Sequence, residues 1–324
     1  MNHDVIAIGA SAGGIEVLLE MVRELPEDLP ASVFVVVHVL PSHVSTLPEI
    51  LSARGPLPAR HPLHDEKIIP GHIYVAPPDN HLLVRQGTME VVRGPKENGH
   101  RPAADALFRT ASAAYGARVI GVVLSGYGDC GTAGMMSIKA RGGLGVVQAP
   151  ESAQAPNMPA SVLARVAVDH TIRPAELPGL LTRLARTSAG PELPVDQLVK
   201  QLEGDEPGTR AEIVCPICDG VLTEAQPGVF QHFRCHVGHS FSLESLVREQ
   251  SEELERTLWA AVRALEESAA LSRRLSLVER GELQQSFAEK AATHTQQAEY
   301  LRQMLLHGQQ LLSEVDADRL LKKR

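Results

Sequence analysis

Three aliphatic runs in the first half of the chain each end in a residue that can take part in acyl transfer. Residues 5–9 (VIAIG) lead into Ala10-Ser11-Ala12-Gly13-Gly14, residues 33–37 (VFVVV) stop at His38, and the run RVIGVVLSG leads into Tyr127-Gly128-Asp129-Cys130-Gly131. A serine on a tight strand-to-helix turn exposes its hydroxyl at the sheet edge, beside helix N–H groups that can hold an oxyanion. A histidine takes the hydroxyl proton, and a carboxylate fixes the imidazole tautomer and its charge. Other readings compete for the same turn. A dinucleotide fingerprint would need glycine where Ser11 stands and an acidic strand end some twenty residues on, which the chain does not supply. Ser11 as a plain helix N-cap is a strong competitor, and a lone histidine after a buried strand is more often structural than basic. The convergence of Ser, His and Asp from three strand ends sets serine hydrolysis ahead of these.

A second cluster lies further on. Cys215-Pro216-Ile217-Cys218 and Cys235-His236-Val237-Gly238-His239 are separated by sixteen residues. Paired knuckles of this kind chelate from two tight turns, and soft thiolates suit zinc. Cys215, Cys218, Cys235 and His239 make a closed set of four, with His236 and His232 as alternatives for the fourth place. A closed set leaves no position for water, so a structural zinc is expected rather than a catalytic one. Free thiols or a redox Cys-x2-Cys would leave the second pair unexplained. So small a segment needs its metal to fold.

The elements that must position these residues follow from the hydropathy periods. Up to about Ala185, short aliphatic runs alternate with amphipathic stretches, including helices expected from about Gly13 to Leu25 and from Thr132 to Ala140. That alternation predicts a three-layer, doubly wound, mostly parallel α/β sheet over residues 1–186. Residues 187–211, rich in Pro, Gly and acidic side chains, read as a linker with one short helix in VDQLVKQL. The metal module then spans 212–242 and a helical tail 243–324. In the tail, Leu254, Leu258, Ala261, Leu265, Ser268, Ser272 and Leu275 form one stripe. Leu283, Phe287, Ala291, His294, Ala298, Leu301 and Leu305 form a second after Gly281, predicting a hairpin or a coiled-coil partner.

Composition narrows the function. The 324 residues carry 31 basic and 39 acidic side chains, a net charge of -8, which repels phosphate backbones and anionic lipid. Aromatics make up 3%, too few for a platform that stacks bases. Four cysteines in so long a chain do not form a disulfide scaffold. No signal-like or membrane-spanning run is present, so a cytoplasmic protein with neither a nucleic-acid partner nor membrane insertion is expected.

Together the stretches IGASAGG, VVVHVLPSH, GHIYVAPPDNHLLV, GHRPAADALFRTAS, VVLSGYGDCGTAGM and NMPASVL make the segment from about Asp4 to Leu181 resemble a known family. It is similar to the catalytic domain of the CheB family of protein-glutamate methylesterases, chemotaxis enzymes that remove methyl esters from receptor glutamates. The resemblance implies Ser11 as nucleophile, His38 as general base, and the N–H groups of Ala12 and Tyr127 as the oxyanion hole. It also implies Arg101 and neighbouring loops at the substrate cleft, a methyl-accepting receptor as substrate, no catalytic cofactor, and deamidation of receptor glutamines as a second activity. The family's acid immediately precedes the loop glycine. Here Cys130 occupies that position, and Asp129, one residue earlier, is the surrogate acid. A thiol is mostly neutral at pH 7 and holds charge beside imidazole less readily than a carboxylate. Three outcomes follow: Asp129 substitutes, Cys130 serves poorly and the enzyme is slow, or the domain is a non-catalytic interaction module. The well-known chemotaxis enzymes carry a receiver domain before the esterase. This chain starts almost at the catalytic strand, so the esterase is expected to be either ungated or gated through the C-terminal region, whose Cys/His segment resembles the zinc-ribbon tails of stand-alone relatives.

Overall fold

Aliphatic strands buried on both faces need a sheet covered on both sides. A computed structural model of the chain describes residues 1–39, 41, 44–204, 206, 208–225 and 231–321, with side chains described to residue 307. Leu40, Ser42 and His43 of the VVVHVLPSH stretch lie outside the described residues, as do parts of the expected linker, metal module and tail. In chain order the first elements are β1 (Val5–Ala10), α1 (Gly14–Glu24), β2 (Ser32–Val37), α2 (Leu47–Arg54), β3 (Ala59–Arg60), β4 (Glu66–Lys67) and β5 (Ile73–Val75). Next come β6 (His81–Val84), β7 (Thr88–Val92), α3 (Ala104–Tyr115), β8 (Val119–Val123) and α4 (Thr132–Ala140). They are followed by β9 (Leu144–Gln148), α5 (Asn157–Arg165), β10 (His170–Ile172) and α6 (Leu177–Ala185).

Seven of these strands form one parallel sheet in the order β10-β9-β8-β1-β2-β5-β3. Every residue of β1, β2 and β8 is buried. Helices α1, α2 and α6 cover one face through Leu18, Met21, Leu51 and Leu181, and α3, α4 and α5 cover the other through Leu107, Phe108, Met135 and Val162. Helix α1 buries Val17, Leu18, Met21 and Val22, a spacing that keeps one face on the sheet. The expected three-layer architecture is present, and both expected helices lie where the periods put them. A three-stranded antiparallel sheet, β4-β7-β6, is added at one side. From β1 the chain builds outward through β2, then returns to β1's other edge with β8. The carboxyl ends of β1 and β8 are therefore a topological switch point, where crossovers diverge and leave a crevice.

Beyond α6, α7 (Gln197–Glu203) packs Leu202 against Ala133 and Ala225. Strands β11 (Thr209–Val214), β12 (Val221–Ala225), β13 (His232–Cys235) and β14 (Ser240–Ser242) form an antiparallel sheet in that order around Leu222, Phe233, Phe241 and Leu246. Helices α8 (Leu243–Val278) and α9 (Glu282–Leu321) follow. The chain divides into two compact units, Met1–Val247 and Arg248–Arg324.

In the second unit α8 and α9 pair as the expected hairpin, through Val262, Ala298 and Leu305, with Leu258, Leu265 and Leu301 against them. The stripe is narrower than the spacing suggested. Leu254, Leu275 and Leu283 are exposed, while Val262 and Ala269 are buried in the place of Ala261. His294 does meet the other stripe, its Nδ1 2.9 Å from Ser268 Oγ.

Candidate active site and metal centre

Pairing of β1 with β2 runs through Ala10 opposite Val37, so Ser11 and His38 are the next residues beyond two adjacent strand ends. The His38 N–H donates to the Ala10 carbonyl at 3.1 Å, extending the ladder by one rung. On the other edge of β1, the Ser11 N–H donates to the Ser125 carbonyl at 2.9 Å. Ser125 holds the turn a second time: its buried Oγ donates to the Ala12 carbonyl at 2.6 Å and accepts the Ala155 N–H at 2.9 Å. Gln148 in turn accepts the Ser125 N–H at 2.8 Å. Gly126 is needed beside this turn, because a Cβ there would lie 2.2 Å from Met158 Sδ and 2.8 Å from Ser11 Cβ. Among the described residues, the Ser11 hydroxyl accepts and donates no hydrogen bond, and no carbonyl accepts from the N–H groups of Ala12 or Tyr127. The partly exposed Ser11 and the uncommitted Ala12 N–H thus lie just past the end of β1, and the uncommitted Tyr127 N–H lies past the end of the neighbouring β8.

The His38 ring stacks on the His100 ring, 3.7 Å between centroids and 10° between planes. His100 lies in the quoted GHRPAADALFRTAS stretch, but nothing in its spacing marks a ring partner 62 residues away. Its neighbour Arg101 is fixed: Nε and Nη2 donate to Asp79 Oδ1 at 2.9 and 2.6 Å, and Nη1 to the Gly94 carbonyl at 2.7 Å. Tyr127 projects its side chain outward and is 66% exposed.

Asp129 and Cys130 lie in the turn between β8 and α4, and both are buried. The Cys130 sulfur, 1% exposed, accepts the Ala104 N–H at 3.3 Å at the start of α3 and packs within the aliphatic layer of Phe108 and Met135. Burial first, and the nearby Asp105 second, push its thiol well above the ordinary cysteine range. Asp105 itself accepts from Gly134 N–H at 2.7 Å and from Asn98 Nδ2 at 2.8 Å. Burial raises its carboxyl to about 6 against the opposing backbone N–H groups of Gly131 and Gly134.

The second cluster converges as its spacing predicts. Ligand atoms of Cys215, Cys218, Cys235 and His239 all lie within 4.8 Å of one another. Two knuckles present them, one between β11 and β12 and one between β13 and β14. Cys218 and Cys235 sulfurs are 3.7 Å apart, and His239 Nδ1 lies 3.7 Å from Cys215 and 3.6 Å from Cys235. A tetrahedron with metal–sulfur bonds of about 2.3 Å and a metal–nitrogen bond of about 2.0–2.1 Å has edges of about 3.8 and 3.6 Å. The donor set fits a four-coordinate ion. Burial, helped by the neighbouring Cys218 and Cys235 thiols, pushes the Cys215 thiol up to about 12, so its thiolate form calls for a cation. The alternative ligands sit elsewhere. His236 is exposed, its ring against Gly220, and His232 is buried and held down at about 4 by that burial, near Arg234 and Glu97.

A three-layer α/β sheet with a serine turn and a histidine at neighbouring strand ends, beside its switch point, is the class that fold and site define. A family model described as CheB methylesterase matches residues 6–181, more than half of the chain, which therefore belongs to the CheB methylesterase family. A protein-glutamate methylesterase/protein-glutamine glutaminase of Geobacter metallireducens is 37% identical over 182 residues, covering 56% of this chain and 52% of its own length. A putative protein of the same name from Leptospira interrogans is 35% identical over 57% of this chain and 96% of its own length. The chain thus spans about half the length of the first of these relatives. The crystal structure of the Thermotoga maritima CheB methylesterase catalytic domain superposes with a TM-score of 0.54 at 29% identity, over 57% of this chain and all of that one.

Proposed function

We propose that this chain is a protein-glutamate methylesterase that hydrolyses glutamyl methyl esters on a methyl-accepting receptor in the cytoplasm. The observation that carries the reading is the strand-end register: Ser11 and His38 are adjacent at the ends of β1 and β2, with the Ala12 and Tyr127 N–H groups uncommitted beside them. His38 takes the Ser11 proton as the hydroxyl attacks the ester carbonyl, and the two N–H groups receive the charge that develops on oxygen. Methanol leaves with the proton from His38, and water, deprotonated by the same ring, releases the glutamate. Ammonia replaces methanol when the substrate is a glutamine, an activity that the names of the relatives support. Asp129 is the surrogate acid, because Cys130 is committed to Ala104 and to the aliphatic layer. Arg101, anchored on Asp79, borders the cleft. Among the described residues no helix is long and apolar enough to cross a membrane.

The four-ligand cluster holds zinc, in a zinc-ribbon-like module, as a structural ion: it crosslinks two knuckles, and a closed donor set leaves no position on it for water or substrate. On this reading the catalytic domain is 1–186, the linker 187–211, the metal module 212–242 and the tail 243–324.

Methanol release from a methylated receptor fragment tests the esterase. Wild type should turn over, Ser11→Ala should not, and Asp129→Asn should lose about 10³- to 10⁴-fold. Wild type as inactive as Ser11→Ala, with activity gained in Cys130→Asp, would establish instead the interaction module that the cysteine allows.

A further inference from the structure

The loop that carries His100 is gripped from the metal module. On the α/β side, Arg101 holds the Gly94 carbonyl, and His81 Nε2 donates to the Pro95 carbonyl at 2.8 Å while its Nδ1 accepts the Ala103 N–H at 3.3 Å. On the module side, Ser240 N–H donates to the Lys96 carbonyl at 3.3 Å, and Asn98 N–H donates to the Ser240 carbonyl at 2.7 Å. Asn98 Oδ1 then accepts both the Ser242 N–H at 2.8 Å and the Ser245 hydroxyl at 2.9 Å, all of it buried. Gly238, inside the knuckle of Cys235 and His239, takes a φ of 107°, and a Cβ there would come 3.1 Å from Pro95 Cγ. The knuckle therefore lies directly on the loop. Two residues past Asn98, His100 stacks on His38.

We infer that the metal module is a positioning element for the esterase: the closed Cys215-Cys218-Cys235-His239 knuckles fix loop 94–101, and that loop fixes the His38 ring through His100. This rests on the esterase reading proposed above. A ring stacked on the imidazole and set by a distant module restrains the plane in which the base meets Ser11. Misplacing a reacting group by about 1 Å costs on the order of 10²-fold in rate.

The test uses the full chain, zinc-loaded and zinc-stripped, with amide hydrogen exchange of residues 94–101 and the ring-nitrogen chemical shifts of His38 read beside methanol release. Stripping zinc should speed exchange in 94–101 at least tenfold, shift the His38 resonances, and lower kcat 10- to 100-fold with KM within threefold. Asn98→Ala, and the milder Ser245→Ala, should act in the same direction while retaining zinc. His100→Ala should shift the His38 resonances, and His100→Phe, which keeps a flat ring, should restore kcat to within threefold of wild type. Unchanged exchange in 94–101 and unchanged His38 shifts on zinc removal would overturn the inference. So would a His100→Phe variant no better than His100→Ala. If wild type releases no methanol while exchange and His38 shifts still follow zinc, the esterase reading fails and the positioning stands.

Discussion

Burial decides what each reactive side chain near the switch point can do. Ser11 is partly exposed and its hydroxyl uncommitted, whereas the Cys130 sulfur is enclosed and held by a backbone N–H. Cys130→Ala should therefore cost about 1–2 kcal/mol by leaving a small cavity, read by urea unfolding, while changing methanol release less than threefold. Ser125 is the opposite case. Its hydroxyl bridges the Ser11 turn to the segment before α5, so Ser125→Ala strands the half-buried Ala12 carbonyl and the buried Ala155 N–H. A loss of about 1–3 kcal/mol is expected, seen as a lowered Tm, together with a fall in kcat as the turn loosens. Ser11 and His38 were legible in the sequence because each follows an unmistakable aliphatic run. Ser125 and His100 were not, since their partners come from across the sheet and from another loop. Cys130 was legible as a thiol beside the loop glycine, but only the packing of Phe108 and Met135 shows where its sulfur goes.

Among the elements, the least legible contact is the polar seam between α3, loop 94–101 and the antiparallel sheet of the module. It has no hydrophobic period, and Asn98 and Ser242 are 144 residues apart. At its centre, Glu97 receives Arg109 through two hydrogen bonds of 2.8 and 2.6 Å. Burial alone would raise the Glu97 carboxyl, but the charge and hydrogen bonds of Arg109 outweigh it and hold it at about 2. A carboxyl depressed in the folded state lends stability that is complete above its unfolded pKa, and loses it as pH falls from about 4.5 toward 2. Glu97→Gln should remove that part of the acid-unfolding transition and, by leaving Arg109 buried and unpaired, cost about 3–5 kcal/mol at neutral pH. Acid titrations followed by circular dichroism check both. The α/β elements were far easier to read: strands such as β2 are uniformly aliphatic, and α4 starts beside a glycine turn. The tail stripe was read one position off at Ala261, because a helix of 3.6 residues per turn drifts against a seven-residue repeat.

At the scale of the molecule, the two compact units differ in what holds them. Met1–Val247 combines a large aliphatic core with the donor cluster, whereas Arg248–Arg324 depends on a narrow seam of small and aliphatic residues. Val262→Asp should bury a charge in that seam and separate α8 from α9, measured as lost helical ellipticity with the Ser11 esterase retained. Purified protein should contain about one zinc per chain, and Cys215→Ser should lose it, since so small a sheet folds with its ion. The sealed position of Cys130 has one more consequence. With that sulfur enclosed and its thiol held protonated, it is slow to react with alkylating reagents in the native fold. Every fast-labelling thiol then belongs to the module, so counting labels per native chain gives the fraction of molecules that have lost their ion: none when loaded, three when stripped, and a fourth only after denaturation.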